Sequence, residues 1–223
     1  MNSRPSTAAI EIAESRLIGR GGSRGRIMNL ASILEAAARV FPERTAVVSQ
    51  GVEYNYAYLD RRADQVATGL TRLGFQPGEK AGLCLPASED WLALYFGIMK
   101  AGGTALTLFH NLSARELAQL VADGGPSVLF LEDGRLSDLG PRSGQPSLRT
   151  IVTRDGDLDW PGFWGLNLPG RVFPDRDRND PAAILYTGGS TGAPKGVILS
   201  HANILSSAYN VAWSERSDRK SVV

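Results

Sequence analysis

Apolar positions along this chain switch between two rhythms. Leu30, Ile33, Leu34, Ala37 and Phe41 recur three and four residues apart, the spacing of one helix face. Asn29 stands where an N-cap belongs, and Pro42 ends the run. Residues 45–49 then read as a strand. Asn55 is placed to cap a longer helix with a predicted buried stripe of Leu59, Ala63, Val66, Ala67, Leu70 and Leu73, and Gly74 sits at its C′ position. After the turn Phe75-Gln76-Pro77-Gly78, residues 81–85 read as a second strand.

The alternation continues. Ser88 predicts a helix start, with Glu89 and Asp90 in a first turn where acids complement the dipole. Trp91, Leu92, Tyr95, Phe96 and Met99 form its apolar face, and Gly102-Gly103 end it. Residues 104–108 are the next strand. Ser113 and Glu116 spell a capping box, with Leu112 and Leu117 as its hydrophobic staple. That helix runs to Gly124-Gly125-Pro126, and residues 127–131 form a further strand. Strand and helix in turn imply βαβ units. The expected class is α/β, with a mostly parallel sheet and helices on its faces. No G-x-G-x-x-G follows the first strand, so no motif supports dinucleotide binding.

Composition narrows the setting more than the function. The 223 residues suffice for one large domain or two small ones, and a formal net charge of +1 supplies no bulk field for nucleic acid or a membrane surface. There is no run of eighteen apolar residues, so no transmembrane helix is expected, and the expected location is the cytoplasm. The single cysteine, Cys84, reads as a buried strand residue rather than a catalytic thiol. His110 and His201 are too few to argue for a metal site. Residues 1–27 carry five arginines, Arg4, Arg16, Arg20, Arg24 and Arg26, and a glycine-rich stretch; a disordered tail is expected. A targeting peptide, or a true start at Met28, are the other readings, and the domain proper is taken as residues 28–223. Residues 132–181 are loop-rich, with a strand at 149–152 and a satellite apolar cluster from Trp160 to Trp164. Asp155, Asp157 and Asp159 alternate without the full calcium-loop spacing, so a solvated loop is expected.

The chemistry gathers near the end, in Tyr186-Thr187-Gly188-Gly189-Ser190-Thr191-Gly192-Ala193-Pro194-Lys195-Gly196-Val197-Ile198-Leu199-Ser200-His201. Apolar runs at 182–186 and 197–199 flank glycines, hydroxyls and one lysine. Glycines permit positive φ and close backbone approach, and successive N–H groups can form an anion-binding concavity. Thr187, Ser190 and Thr191 add neutral donors, and Lys195 adds a mobile cation suited to phosphate. The pattern G-x-x-x-x-G-K-[ST] does not fit. Composition alone equally allows a hairpin turn with an incidental lysine. Ser200 then caps a helix from His201 to about residue 213, whose N-terminus is expected to add a favourable dipole near the loop. His201 is either a substrate contact or, more simply, a locally packed residue.

This run resembles the signature loop of the adenylate-forming superfamily of acyl-CoA synthetases, peptide-synthetase adenylation domains and luciferases, whose pattern is approximately YTSGTTGxPKGVxxSH. Gly188 stands where serine is common and Ser190 where threonine is common. Asn55-Tyr56-Ala57-Tyr58-Leu59-Asp60, residues 73–80 and Met99-Lys100-Ala101-Gly102-Gly103 resemble earlier family landmarks, so the likeness spans residues 30–223. The resemblance implies use of ATP and Mg²⁺ to turn a carboxylic acid into an acyl adenylate, with pyrophosphate leaving, followed by transfer to the thiol of CoA. It implies that Thr187, Gly188, Gly189, Ser190, Thr191 and Gly192 wrap the β- and γ-phosphates, while Lys195 steadies the departing pyrophosphate or pins the loop. It assigns no catalytic residue within this chain. The family's adenine and ribose motifs, its magnesium glutamate, most of its acyl pocket, its CoA site and its catalytic lysine have no counterpart here. The expectation is an N-terminal portion of an acyl-CoA synthetase, inactive alone and exposing apolar surface that the remainder would cover. The alternatives are a stand-alone nucleotide- or partner-binding module, or part of a peptide-synthetase adenylation domain.

Overall fold

A computed structural model describes residues 29–166, 174–187 and 194–218, with side chains of the last helix as far as Asn210. The expected tail, residues 1–27, lies outside the described residues. The elements are α1 (Ala31–Val40), β1 (Thr45–Ser49), β2 (Val52–Asn55), α2 (Tyr56–Arg72), β3 (Lys80–Cys84), α3 (Glu89–Lys100), β4 (Thr104–Thr107), α4 (Ala114–Gly124), β5 (Val128–Leu131), β6 (Thr150–Val152), α5 (Trp160–Trp164), β7 (Pro181–Thr187), β8 (Lys195–Ser200) and α6 (His201–Asp218).

The helix boundaries follow their local signals. Asn29 Oδ1 accepts from Ala31 N at 3.0 Å, Asn55 Oδ1 from Tyr58 N at 2.8 Å, and Ser88 Oγ from Trp91 N at 3.1 Å. Ser113 and Glu116 complete the capping box. Gly74 and Gly125 take the positive φ that closes α2 and α4, at 76° and 59°.

Six strands form one sheet in the order β6-β5-β3-β4-β7-β8. The first five run parallel, and only β8 is antiparallel. Both faces of the parallel part are covered, so its strands are apolar on both sides. In β5, Val128 and Phe130 enter the core beneath α1, α2, α3, α5 and α6, while Leu129 and Leu131 enter the core beneath α4. The split follows from connectivity. The step from β3 to β4 goes one way along the sheet, and the step from β4 to β5 goes back across β3. Right-handed crossovers then place α3 and α4 on opposite faces.

Two local expectations change. Residues 52–55 form β2, which pairs antiparallel with β1 around Gln50-Gly51; a four-residue strand carrying Glu53 and Asn55 has too little alternation to be seen in sequence. The Trp160–Trp164 stretch is no satellite. It is α5, capped by Asp159, and Phe163 is buried in the main core. Gly69 of α2 makes room for it, since a Cβ there would lie 2.9 Å from the Phe163 ring. The Arg62 guanidinium also stacks 3.4 Å over the Trp164 ring.

Two of the alternating aspartates act as loop fasteners. Asp157 accepts from Ile151 N at 2.8 Å and from Arg142, and Asp159 accepts from Gly162 N at 2.8 Å. Among the described residues, no group of three His, Cys, Asp or Glu side chains is arranged to hold a metal ion. Cys84 is fully buried in β3, and burial pushes its thiol up to about 11, away from nucleophilic use.

The helical layer is joined by one charge. Lys100, at the end of α3, is 2% exposed. Its ammonium donates to Asp60 at 2.7 Å and Asp64 at 2.5 Å, both on α2, and lies 3.6 Å from Glu35 on α1. Burial pulls the Lys100 pKa down, but the two aspartates outweigh it and hold the group above the usual lysine value. Lys100→Met removes the cation and leaves the carboxylates facing one another. The expected loss is about 2 kcal/mol at pH 7, below the range for fully buried pairs because these carboxylates reach solvent. Urea unfolding of the two proteins at pH 7 checks this.

Candidate functional site

Strand β7 is parallel to β4, with Ala105, Leu106 and Thr107 opposite Ala183, Ile184 and Leu185. Its end therefore lies on the carboxyl edge of the parallel sheet, the edge at which α/β sheets receive ligands. β8 returns beside it, with Leu185 opposite Val197, Tyr186 opposite Gly196, and Thr187 opposite Lys195. Thr187 Oγ1 donates to Lys195 O at 3.5 Å, across the last rung before the loop. Of the expected phosphate-binding residues, Thr187 and Lys195 are thus brought together at the mouth of a hairpin. Gly188, Gly189, Ser190, Thr191 and Gly192 lie outside the described residues. The strands that flank these residues are antiparallel neighbours, as a hairpin requires.

Lys195 is exposed, and no carboxylate among the described residues pairs with it. An uncommitted ammonium beside a glycine- and hydroxyl-rich loop suits an anionic ligand. These residues fit a nucleotide polyphosphate.

The start of α6 does not belong to this site. Because β8 is antiparallel, Ser200 lies opposite Pro181, at the far end of β7 from Thr187. Six residues of strand separate the two levels, roughly 20 Å. The expected dipole from α6 is therefore at the wrong edge of the sheet. Its first N–H groups are also already used. His201 N donates to Asp180 O at 3.2 Å, Ala202 N to Arg178 O at 2.8 Å, and Asn203 N to Ser200 Oγ at 3.2 Å.

His201 is a structural joint. It is fully buried, and its Nδ1 accepts from Leu30 N at 3.0 Å, tying α6 to the residue before α1. Burial, helped by the charge of Arg176 and opposed by Asp180, pushes its pKa down to about 4. The simpler sequence reading holds, and a substrate contact is overturned by the burial.

The fold is of the α/β class, in which a mostly parallel sheet receives ligands at its carboxyl edge. Residues 34–223 match the AMP-binding enzyme family, and the chain belongs to that family. It is 31% identical over 189 residues to the 3-oxocholest-4-en-26-oate–CoA ligase of Rhodococcus rhodochrous, covering 79% of this chain and 34% of the ligase. It is 35% identical over 175 residues to a linear gramicidin synthase of Brevibacillus parabrevis, covering 78% of this chain and 3% of the synthase. Among solved structures, an anthranilate CoA ligase in complex with anthranoyl-AMP matches with a TM-score of 0.72 at 27% identity, over 78% of this chain and 35% of that one. The chain thus spans about a third of the length of the CoA ligases it matches. Among the described residues, no helix is long and apolar enough to cross a membrane.

The buried neutral His201 sets a pH dependence. Its folded pKa lies below the ordinary 6.5, so its contribution to stability is full above 6.5. That contribution falls as pH drops toward 4, because the unfolded chain takes up a proton the folded one refuses. By pH 5 the loss is about 2 kcal/mol. Thermal melts at pH 7.5 and pH 5 check this, and His201→Gln is expected to narrow the gap between them.

Proposed function

We propose that this chain carries the phosphate-binding part of an AMP-forming acid–thiol ligase of the acyl-CoA synthetase kind. The observation that carries the reading is Lys195, an exposed cation with no carboxylate partner among the described residues, opposite Thr187 at the mouth of the carboxyl-edge hairpin. In this reading, residues 187–192 cradle the β- and γ-phosphates of ATP through backbone N–H groups and hydroxyls. Lys195 stabilises the charge that develops as pyrophosphate leaves. Mg²⁺ binds nucleotides through phosphate oxygens, and so would enter with ATP. The acid is a carboxylic acid whose oxygen attacks the α-phosphorus, and CoA is the thiol acceptor. The CoA-ligase relatives of comparable coverage support the thiol assignment, and the peptide-synthetase match shares the same region of the chain.

The surface supports a division of labour. Leu185 and its partner Val197 are 41% and 43% exposed on one face of the β7–β8 hairpin. Ile198 is 62% exposed on the other. An edge strand that is apolar on both faces is built to be covered. In the proposed reading, further parts of the ligase cover it and supply the acyl pocket and catalytic groups. The 223-residue chain then binds nucleotide without completing the reaction.

Isothermal calorimetry with Mg·ATP tests the site. Binding by the wild-type chain is expected, with the Kd raised at least about tenfold in Lys195→Ala while the melting temperature is retained. Equal affinity in the two proteins would remove Lys195 from the phosphate site. Acyl-CoA formation by the 223-residue chain alone would overturn the division of labour.

A further inference from the structure

The end of β7 is held from a third element. The Tyr186 hydroxyl donates to the Asp123 carboxylate on α4, 63 residues earlier. Tyr186 itself is buried, and its ring lies across Gly196, its register partner. A Cβ on Gly196 would lie 3.4 Å from the ring, in ordinary contact with it. Burial and the nearby carboxylate both raise the Tyr186 pKa, which keeps the hydroxyl a donor throughout the neutral range.

Elsewhere the strand is secured by backbone-directed bonds. Thr104 Oγ1 donates to Pro181 O at 3.0 Å, and Thr107 Oγ1 to Ile184 O at 3.2 Å. Those fasten the body of β7 to β4. Only the Tyr186–Asp123 bond, among these, reaches the rung next to Thr187 and Lys195.

We propose that Asp123 is a positioning residue for Thr187 and Lys195. Through the Tyr186 hydroxyl it holds the end of β7 against α4, and so sets where Thr187 and Lys195 present their groups. This rests on the nucleotide reading of the loop. The bond is charge-assisted, and it joins residues far apart in sequence, so it constrains tertiary placement and not the local turn. Asp123 is exposed to solvent, which limits the expected effect to about fivefold in Mg·ATP affinity.

The test uses the full 223-residue chain and the variants Tyr186→Phe, Asp123→Ala, Asp123→Asn and the Phe/Ala double. Two readouts are taken: the Kd for Mg·ATP, and amide hydrogen exchange without nucleotide. Tyr186→Phe and Asp123→Ala are each expected to weaken Mg·ATP binding about fivefold. The double should be no worse than either single, and Asp123→Asn should stay near wild type because its carbonyl still accepts. Exchange should quicken at residues 186, 187 and 196 and stay unchanged in β3. Unchanged exchange at those three residues overturns the proposal. So does a uniform rise across the sheet with a lowered melting temperature, or quickened exchange with unaltered Mg·ATP affinity in a chain that binds. A wild-type chain that binds no Mg·ATP, together with locally quickened exchange in the variants, removes the nucleotide reading and leaves the anchor standing.

Discussion

The parallel pairing of β4 with β7 is the constraint on which the rest depends. Parallel neighbours cannot be joined by a tight turn. Here the chain leaves β4 at Thr107, builds α4, β5, β6 and α5, and returns at Pro181. The pairing is reinforced by side chains, because the Thr104 and Thr107 hydroxyls reach the carbonyls of Pro181 and Ile184. A slip of one residue would turn Tyr186 to the other face, away from α4. With the register as it stands, Thr187 emerges at the carboxyl edge beside the return strand that carries Lys195.

The helical layer supports that arrangement from below. α3 runs straight into β4 through Gly102, whose φ of 78° permits the reversal. Its last residue, Lys100, gathers carboxylates from α1 and α2. A lysine removed from water is stable there only because its partners come with it. At Gly97 the helices approach closely, since a Cβ would lie 2.4 Å from Val66. The layer is therefore fixed both by charge and by contact.

The direction of β8 separates two features that adjoin in sequence. Lys195 and His201 are six residues apart, yet the strand between them carries one to the open edge and the other to the opposite, closed edge. Lys195 meets solvent. His201 is buried, kept neutral, and bonded to Leu30 N. Chemical suggestiveness in a motif is thus divided by strand geometry into a part that meets solvent and a part that packs.

What the sequence determined by itself is what local physics decides. The caps at Asn55, Ser88 and Ser113, the stop at Gly74 and the βαβ alternation were legible because each is read within a few residues. The loop, with Thr187 and Lys195 at its ends, was legible for the same reason. β2 was not, because four residues carry too little alternation. The burial of Phe163 depends on a gap at Gly69, almost a hundred residues away, and no local pattern shows it. The side of the sheet on which α6 begins depends on strand direction, and the Asp123–Tyr186 bond depends on α4 and β7 meeting across the sheet. Only the tertiary structure decided these, because backbone propensity acts between near neighbours whereas strand order, register and layer contact act between residues the chain brings together from far apart.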